Sequence, residues 1–400
     1  MNNKAELLSP AGDNFKARIA LEYGADAIYF GGKQYSLRAR ASNFDFADIK
    51  STIELAHKMN KKVYIVTNIL CHNIHMKNAE VFFNEVLKYK PDGFICADPF
   101  ITELIRKLDK DVEIHISTQQ SVTNSKAALF WKRNHASRIV LAREVEYENL
   151  KLLTNNVAKN IDIEYFIHGA VCIGYSGRCM LSNNYCLRDA NIGGCAQSCR
   201  WEYKLYDETK DYANNFSMSA KDMSQIPNLE KILSLPIKSL KIEGRMKTEH
   251  YIATVVKAYR EAIDEFYANG KIADVNYYNK EVENVANRET NIAWFNGLPD
   301  ESFMIDSSVQ KTVYQNYAFL VNKKLAANKF EVTSKNYFKK DYKFEAIGKN
   351  HKKLNFTIKN IYDKDNNSIS IVNQPMQTLI IETDQDLNLD TNDICRIKFN

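Results

Sequence analysis

The 400-residue chain has no run of about 18 apolar residues, so it offers no candidate transmembrane helix. Its opening, Met1 to Pro10, lacks the apolar stretch of a secretory signal, and a cytoplasmic setting is the expectation. Glycine and proline are scarce, at 14 and 7. With 45% hydrophobic and 26% charged residues, this composition excludes collagen, disorder and coiled coil as the dominant state. Eight cysteines are too few for a disulfide scaffold. Hydrolase signatures are missing too: there is no Gly-x-Ser-x-Gly and no His-Glu-x-x-His. The length exceeds one average domain, so a large and a smaller domain are expected.

What is present is unevenly placed. The net charge is only +5, but Val321 to Lys353 carries ten Lys against three Asp or Glu, a local +7. Such a stretch reads as an electrostatic footprint for RNA, with Lys339, Lys340, Lys352 and Lys353 as candidate phosphate contacts. Its aromatics, among them Phe330, Phe338 and Phe344, read as core of a β domain. Five cysteines (Cys172, Cys179, Cys186, Cys195, Cys199) fall within 28 residues, while Cys71, Cys96 and Cys395 are scattered.

Up to about residue 270 one rhythm repeats: a short β-branched or aromatic run, a polar or glycine end, then a stretch with helical periodicity. Strict β-α alternation argues a parallel sheet covered by helices, and the number of units predicts a TIM-like (β/α)8 barrel. Nine candidate strands occur, from Ala5–Leu8 to Ser239–Glu243, one too many, and Phe216–Ser219 is assigned to an insertion. Beyond about Thr290, short runs punctuated by turns predict a small all-β barrel. The expected plan is a barrel domain over 1–275 with a cysteine-rich insertion at about 169–210, a connecting segment over 276–314, and the β-barrel domain over 315–400.

Alternation within the strands is informative, because successive side chains face opposite sides. Around Glu164, the set Ile161, Ile163, Tyr165 and Ile167 is apolar, which turns Asp162, Glu164, Phe166 and His168 inward. The same reading turns Glu113 and His115, and Lys241, Glu243 and Arg245, into the barrel. Buried charges cost several kcal/mol unless paired, so a Lys241–Glu164 pair is expected. Proton chemistry would fall to His168, His115, Glu164 and Glu243. Arg38 and Arg40 after the second strand, Arg245 after the last and Arg143 after the sixth would ring the mouth, where guanidinium groups suit carboxylates.

The cysteine spacing, Cys172-x6-Cys179-x6-Cys186-x8-Cys195-x3-Cys199, permits a metal or an iron–sulfur cluster. Only Cys195 and Cys199 are closely spaced, a poor match to a zinc ribbon. The run from Glu164 to Ser182, with His168, Gly169, Cys172, Gly174, Gly177 and Cys179 in place, resembles the signature of peptidase family U32. Leu8-Ser9-Pro10-Ala11-Gly12, Arg38 to Phe44, Gly194 to Trp201, Leu240 to Lys247 and Asn287-Arg288 resemble the same family. One departure is Asn291 to Trp294, where relatives tend to have Thr-x-Gly-Phe.

The resemblance implies oxygen-independent hydroxylation. One branch of the family forms 5-hydroxyuridine at tRNA position 34 with prephenate, a small dicarboxylate, as hydroxyl donor. Other branches act on 23S rRNA and on quinone precursors. It further implies that Cys172, Cys179, Cys195 and Cys199 hold a [4Fe–4S] cluster, that the tRNA anticodon loop is the partner, and that the chain associates with itself or with another family member. Two alternatives stand beside it. One is a collagenase-like peptidase using Cys172 with His168 as base. The other is a non-catalytic RNA-binding factor.

Overall fold

Eight runs of β-branched and aromatic residues form parallel strands that close into a ring. A computed structural model describes residues 4–37, 44–204, 215–304, 317–350 and 353–398. The wall comprises β1 (Glu6–Pro10), β2 (Ala27–Gly31), β3 (Lys62–Thr67), β4 (Gly93–Cys96), β5 (Glu113–Ile116), β6 (Arg138–Val140), β7 (Asp162–Gly169) and β8 (Ser239–Ile242). Each pairs in parallel with the next, and β8 pairs with both β7 and β1. The strands alternate with α1 (Asn14–Glu22), α2 (Phe46–Lys58), α3 (Ala79–Leu87), α4 (Pro99–Leu108), α5 (Ser125–Arg133), α6 (Tyr147–Val157), α7 (Leu229–Leu233) and α8 (Glu249–Asn269). The expected TIM-like (β/α)8 barrel is therefore the observed one. Side chains of Asp13, Asp45, Asp98, Asn124 and Thr248 cap backbone amides of the following turn, which fixes where five of these helices start.

The ninth run stands outside the wall. Asn215–Ser217 pairs with Glu202–Lys204 as a small antiparallel ribbon within the segment joining β7 to α7. Ile163, Tyr165 and Ile167 face the helices, as alternation predicts. Leu8, Ala27, Tyr29, Tyr64, Val66 and Ile95 fill the interior. Among them lies a buried ionic network. Glu164 is wholly buried and receives Lys241 Nζ at 2.7 Å and Arg138 Nη1 at 3.1 Å. Arg138 also reaches Glu6 at 2.7 Å, and His115 Nε2 lies 2.9 Å from Glu113 Oε2. The two cations hold the Glu164 carboxyl down at about 2 against the penalty of burial.

Six further strands form a closed antiparallel barrel: β9 (Tyr317–Ala326), β10 (Lys329–Ser334), β11 (Lys343–Ile347), β12 (Leu354–Tyr362), β13 (Thr378–Thr383) and β14 (Ile394–Ile397). Phe319, Phe330, Phe338, Phe344 and Phe356 make its core, so the phenylalanines of the basic stretch point inward, whereas Tyr337 is exposed. Helix α9 (Val275–Glu283) joins the two barrels. Its Glu281 accepts from the buried Arg396 of β14 at 2.7 Å and from Lys353, and Arg396 also binds Glu345 at 2.6 Å. The Tyr23 hydroxyl of the first barrel donates to the Ile347 carbonyl at 2.9 Å.

Removing Arg396 takes from Glu345 its buried cation and leaves Glu281 with Lys353 alone of the two. Arg396→Met should lower stability by about 3–5 kcal/mol, read as a fall in the thermal unfolding midpoint. An unchanged midpoint would show that the seam carries no weight.

Candidate active site at the barrel mouth

In this architecture functional side chains collect where strands end. Arg143 follows β6, and Glu243 and Arg245 follow β8. The Arg143 guanidinium lies 3.8 Å over the Phe166 ring and 3.7 Å from the Glu243 carboxylate. The Tyr29 hydroxyl reaches the same carboxylate at 3.5 Å. Arg245 crosses to the β2 loop, donating to Ser36 Oγ at 3.0 Å and to the Leu37 carbonyl at 3.4 Å. Glycine is required at residue 31: a Cβ there would lie 2.0 Å from Ser36 Oγ and 3.0 Å from the Arg245 guanidinium. The mouth thus holds two guanidinium groups, one of them, Arg143, beside the Glu243 carboxylate.

The cysteine-rich segment leaves the wall at Gly169 and returns as a strand, Asp222–Ser224, antiparallel to the end of β7. It lies across the neighbouring loops. Glu144 after β6 accepts from the Ser176 amide and hydroxyl, both at 2.8 Å. Ser121 after β5 donates to the Ser176 carbonyl, and the Leu70 amide after β3 donates to the Asn191 carbonyl at 3.0 Å. Gly177 sits against the Gln119 carbonyl at φ +74, where no side chain would fit.

Within this segment Cys199 is half-buried. Burial raises its thiol, the nearby Arg200 lowers it, and the charges of Cys172, Cys195 and Cys179 raise it further. The charges of the other three thiols thus reach Cys199. Cys186 instead lies 3.6 Å from Ser198 Oγ. Ser182 Oγ donates toward Cys195 Sγ at 3.9 Å and accepts the Ala196 amide at 3.0 Å. Among the described residues, no three His, Cys, Asp or Glu side chains stand close enough to hold a single metal ion. Cysteine thiols with hydroxyl and guanidinium neighbours have the donor chemistry that an iron–sulfur cluster, a larger group than one ion, would use.

A second cationic group lies beside them. The buried Asp222 carboxylate lies 3.0 Å from Arg288 and 3.6 Å from Lys247, and Lys247 donates to Asn287 Oδ1 at 3.0 Å. Burial depresses the Lys247 ammonium, while Asp222 pulls it back up. Arg200 is likewise lowered, by burial and then by Arg288. Sequence reasoning missed this cluster as a site, although Lys247 and Arg288 stand in the family-like stretches Leu240 to Lys247 and Asn287-Arg288.

A model of peptidase family U32 matches residues 12–304, and one of the family's C-terminal domain matches residues 315–396. The chain belongs to peptidase family U32. It is similar to the tRNA hydroxylation protein P1 of Bacillus subtilis, 40% identical over 96% of this chain and 93% of that protein. It is similar to the 23S rRNA 5-hydroxycytidine C2501 synthase of Escherichia coli, 34% identical over 66% of this chain and 40% of that one. A Porphyromonas gingivalis collagenase is 31% identical over 67% of each. Ala293, within the stretch where the resemblance leads to an expectation of glycine, stands at φ +49, a conformation glycine favours.

The mouth gathers Arg143, Arg245 and Glu243 beneath the cysteine segment. Other expected members lie elsewhere. His115 and Glu164 belong to the ionic network low in the barrel, because Glu113 and Arg138 open β5 and β6 and Glu164 is only the third residue of β7. His168 does not open into the mouth. The β7–β8 register shifts beside it, and its ring packs against Tyr251 and Tyr259 of α8, with Nδ1 3.4 Å from the Tyr259 hydroxyl. Lys353 is not a free phosphate contact, since it pairs with Glu281 and covers the Tyr277 ring at 4.6 Å. Lys339 and Lys340 line a surface cavity of about 470 Å3 on the second barrel with Thr357, Ile358, Ser370 and Ile371. Arg38, Arg40 and Lys352 lie outside the described residues.

Burial pulls the His168 imidazole from 6.5 to about 4. It is neutral at physiological pH, and protonation favours the unfolded chain, so its contribution to stability is lost as pH falls from 6.5 through about 4. Its ring resonances should stay flat from about pH 8 to about pH 5 in a histidine-resolved NMR titration. A midpoint near 6.5 would overturn this environment.

Proposed function

We propose that the chain is a tRNA-modifying enzyme that hydroxylates uridine 34 at C5 without molecular oxygen, with prephenate as hydroxyl donor and a [4Fe–4S] cluster as cofactor. The observation that carries this reading is that Arg143 and Arg245 follow β6 and β8 at the mouth end of the barrel, while the segment bearing Cys172, Cys179, Cys195 and Cys199 is fastened across the neighbouring loops. The names of the Bacillus and Escherichia relatives support RNA hydroxylation as the reaction class.

Cys172, Cys179, Cys195 and Cys199 would hold the cluster, which when bound supplies one-electron chemistry. Arg143 and Arg245 bind and orient the two carboxylates of the donor. Glu243, held between Arg143 and Tyr29, is placed at the mouth to accept the proton that leaves C5. An anticodon loop already presents position 34 unpaired, so bringing the base to the mouth costs little unstacking energy.

Similarity to a collagenase invites a peptidase reading. The geometry runs against it: His168, the base that a Cys172 nucleophile would need, is buried with its ring against Tyr251 and Tyr259 and its Nδ1 beside the Tyr259 hydroxyl.

Protein purified anaerobically should be brown, absorb broadly at roughly 400 nm and contain iron. With prephenate and tRNA lacking the modification, nucleoside mass spectrometry should show 5-hydroxyuridine. Arg245→Lys should lower turnover by roughly 10–100-fold with iron content unchanged, because the planar fork is lost while the charge is kept. Colourless protein with stoichiometric zinc, or cleaved peptide with unmodified tRNA, would overturn the reading.

A further inference from the structure

The cysteine-rich segment shows an unusual outer surface. In the second barrel the phenylalanines are buried, but here large rings face solvent. Tyr185 is 56% exposed, Trp201 42% and Phe216 38%. They are ordered rather than scattered. In the small ribbon Tyr203 and Phe216 are directly opposed, with ring centroids 5.8 Å apart, and Tyr185 continues the row 5.6 Å from Tyr203. The backbone is extended at Trp201, so Trp201 and Tyr203, two residues apart, share one face.

This row is tied to the cysteines. The Tyr203 hydroxyl donates to the Ser198 carbonyl at 2.7 Å, one residue before Cys199. Tyr185 stands on the short helix Leu181–Cys186. Over 169–224 as a whole six Lys or Arg are matched by six Asp or Glu; among the described exposed residues beside the row, Arg178, Arg188 and Lys204 stand against Glu202.

Exposed rings among cations are what an unpaired nucleic-acid strand requires. Each base offers a face for stacking and each phosphate a charge for pairing. A helical duplex hides its bases and gains nothing from such rings. We infer that the aromatic row Tyr185–Tyr203–Phe216, with Trp201 beside it and Arg188 and Lys204 flanking it, is the docking surface for a single-stranded RNA loop. It stacks the bases next to the target nucleotide and presents that nucleotide to the mouth. The lysines of the second barrel are then not the principal contact. The inference rests on the RNA reading above and adds to it where, and through which faces, the RNA is held.

The test uses the full-length, cluster-loaded protein and two probes, an anticodon stem–loop RNA and a fully paired duplex of matching length, read by fluorescence anisotropy. The wild type should prefer the stem–loop. Tyr185→Ala and Phe216→Ala should each weaken stem–loop binding about tenfold or more and leave duplex binding unchanged. Tyr185→Phe should retain affinity, which separates loss of the ring from loss of the fold. Stem–loop binding should quench tryptophan emission, and Trp201→Phe should remove the quench while keeping most of the affinity. Stem–loop affinity unchanged in both alanine variants would overturn this inference and leave the proposed function standing. Wild-type protein that binds neither RNA would overturn both. Concentration-dependent dimerisation lost in the same variants, with RNA binding intact, would assign the face to a second copy and overturn this inference.

Discussion

Glu164 has no contact with water, and the barrel closes around it. Its two oxygens bind cations from different strands, Lys241 of β8 and Arg138 of β6. Arg138 passes the connection on to Glu6 of β1. The last and first strands of the wall are therefore linked through charge as well as through backbone pairing. An apolar interior of similar volume would be no less stable, because desolvating three charges is costly. What the ionic network adds is specificity: a shifted register would leave at least one of these charges buried alone. The lower interior is filled in this way by ion pairs instead of apolar side chains.

The second barrel is fastened by the same means. Arg396 bridges Glu345 of its own wall and Glu281 of α9, and Lys353 adds to Glu281. A seam built on buried ion pairs and the Tyr23 hydroxyl holds its partners in fixed positions. The cationic surface around Lys339 and Lys340 is thus carried on a body anchored to the first barrel, not on a loose tail.

Much of this was legible in the residues. A period of two told which side chains of β5, β7 and β8 face the interior, and the Lys241–Glu164 pair followed from the cost of unpaired charge. Height along the barrel was not legible. Alternation is blind to where each strand starts, so His115 and Glu164 looked like residues of the mouth although they lie below it. The turn of His168 toward α8 accompanies a register shift, which no side-chain pattern records. Lys353 illustrates a further limit: a lysine committed to a distant carboxylate reads the same in sequence as one left free. The cluster of Asp222, Lys247 and Arg288 escaped notice as a site because its members are separated by 25 to 66 residues and meet only through the closure of the barrel.

The position of the cysteine-rich segment within the chain has a consequence of its own. It departs at Gly169 and returns at Met223, and those two residues are hydrogen-bonded neighbours on adjacent strands. An excursion that begins and ends at one rung of a ladder leaves the strand order of the wall independent of its length. Its hold on the barrel is made at a few points, Ser176 to Glu144 and Ser121, and Asn191 to Leu70. Residues can be added or removed between those anchors without displacing the strands that the segment spans.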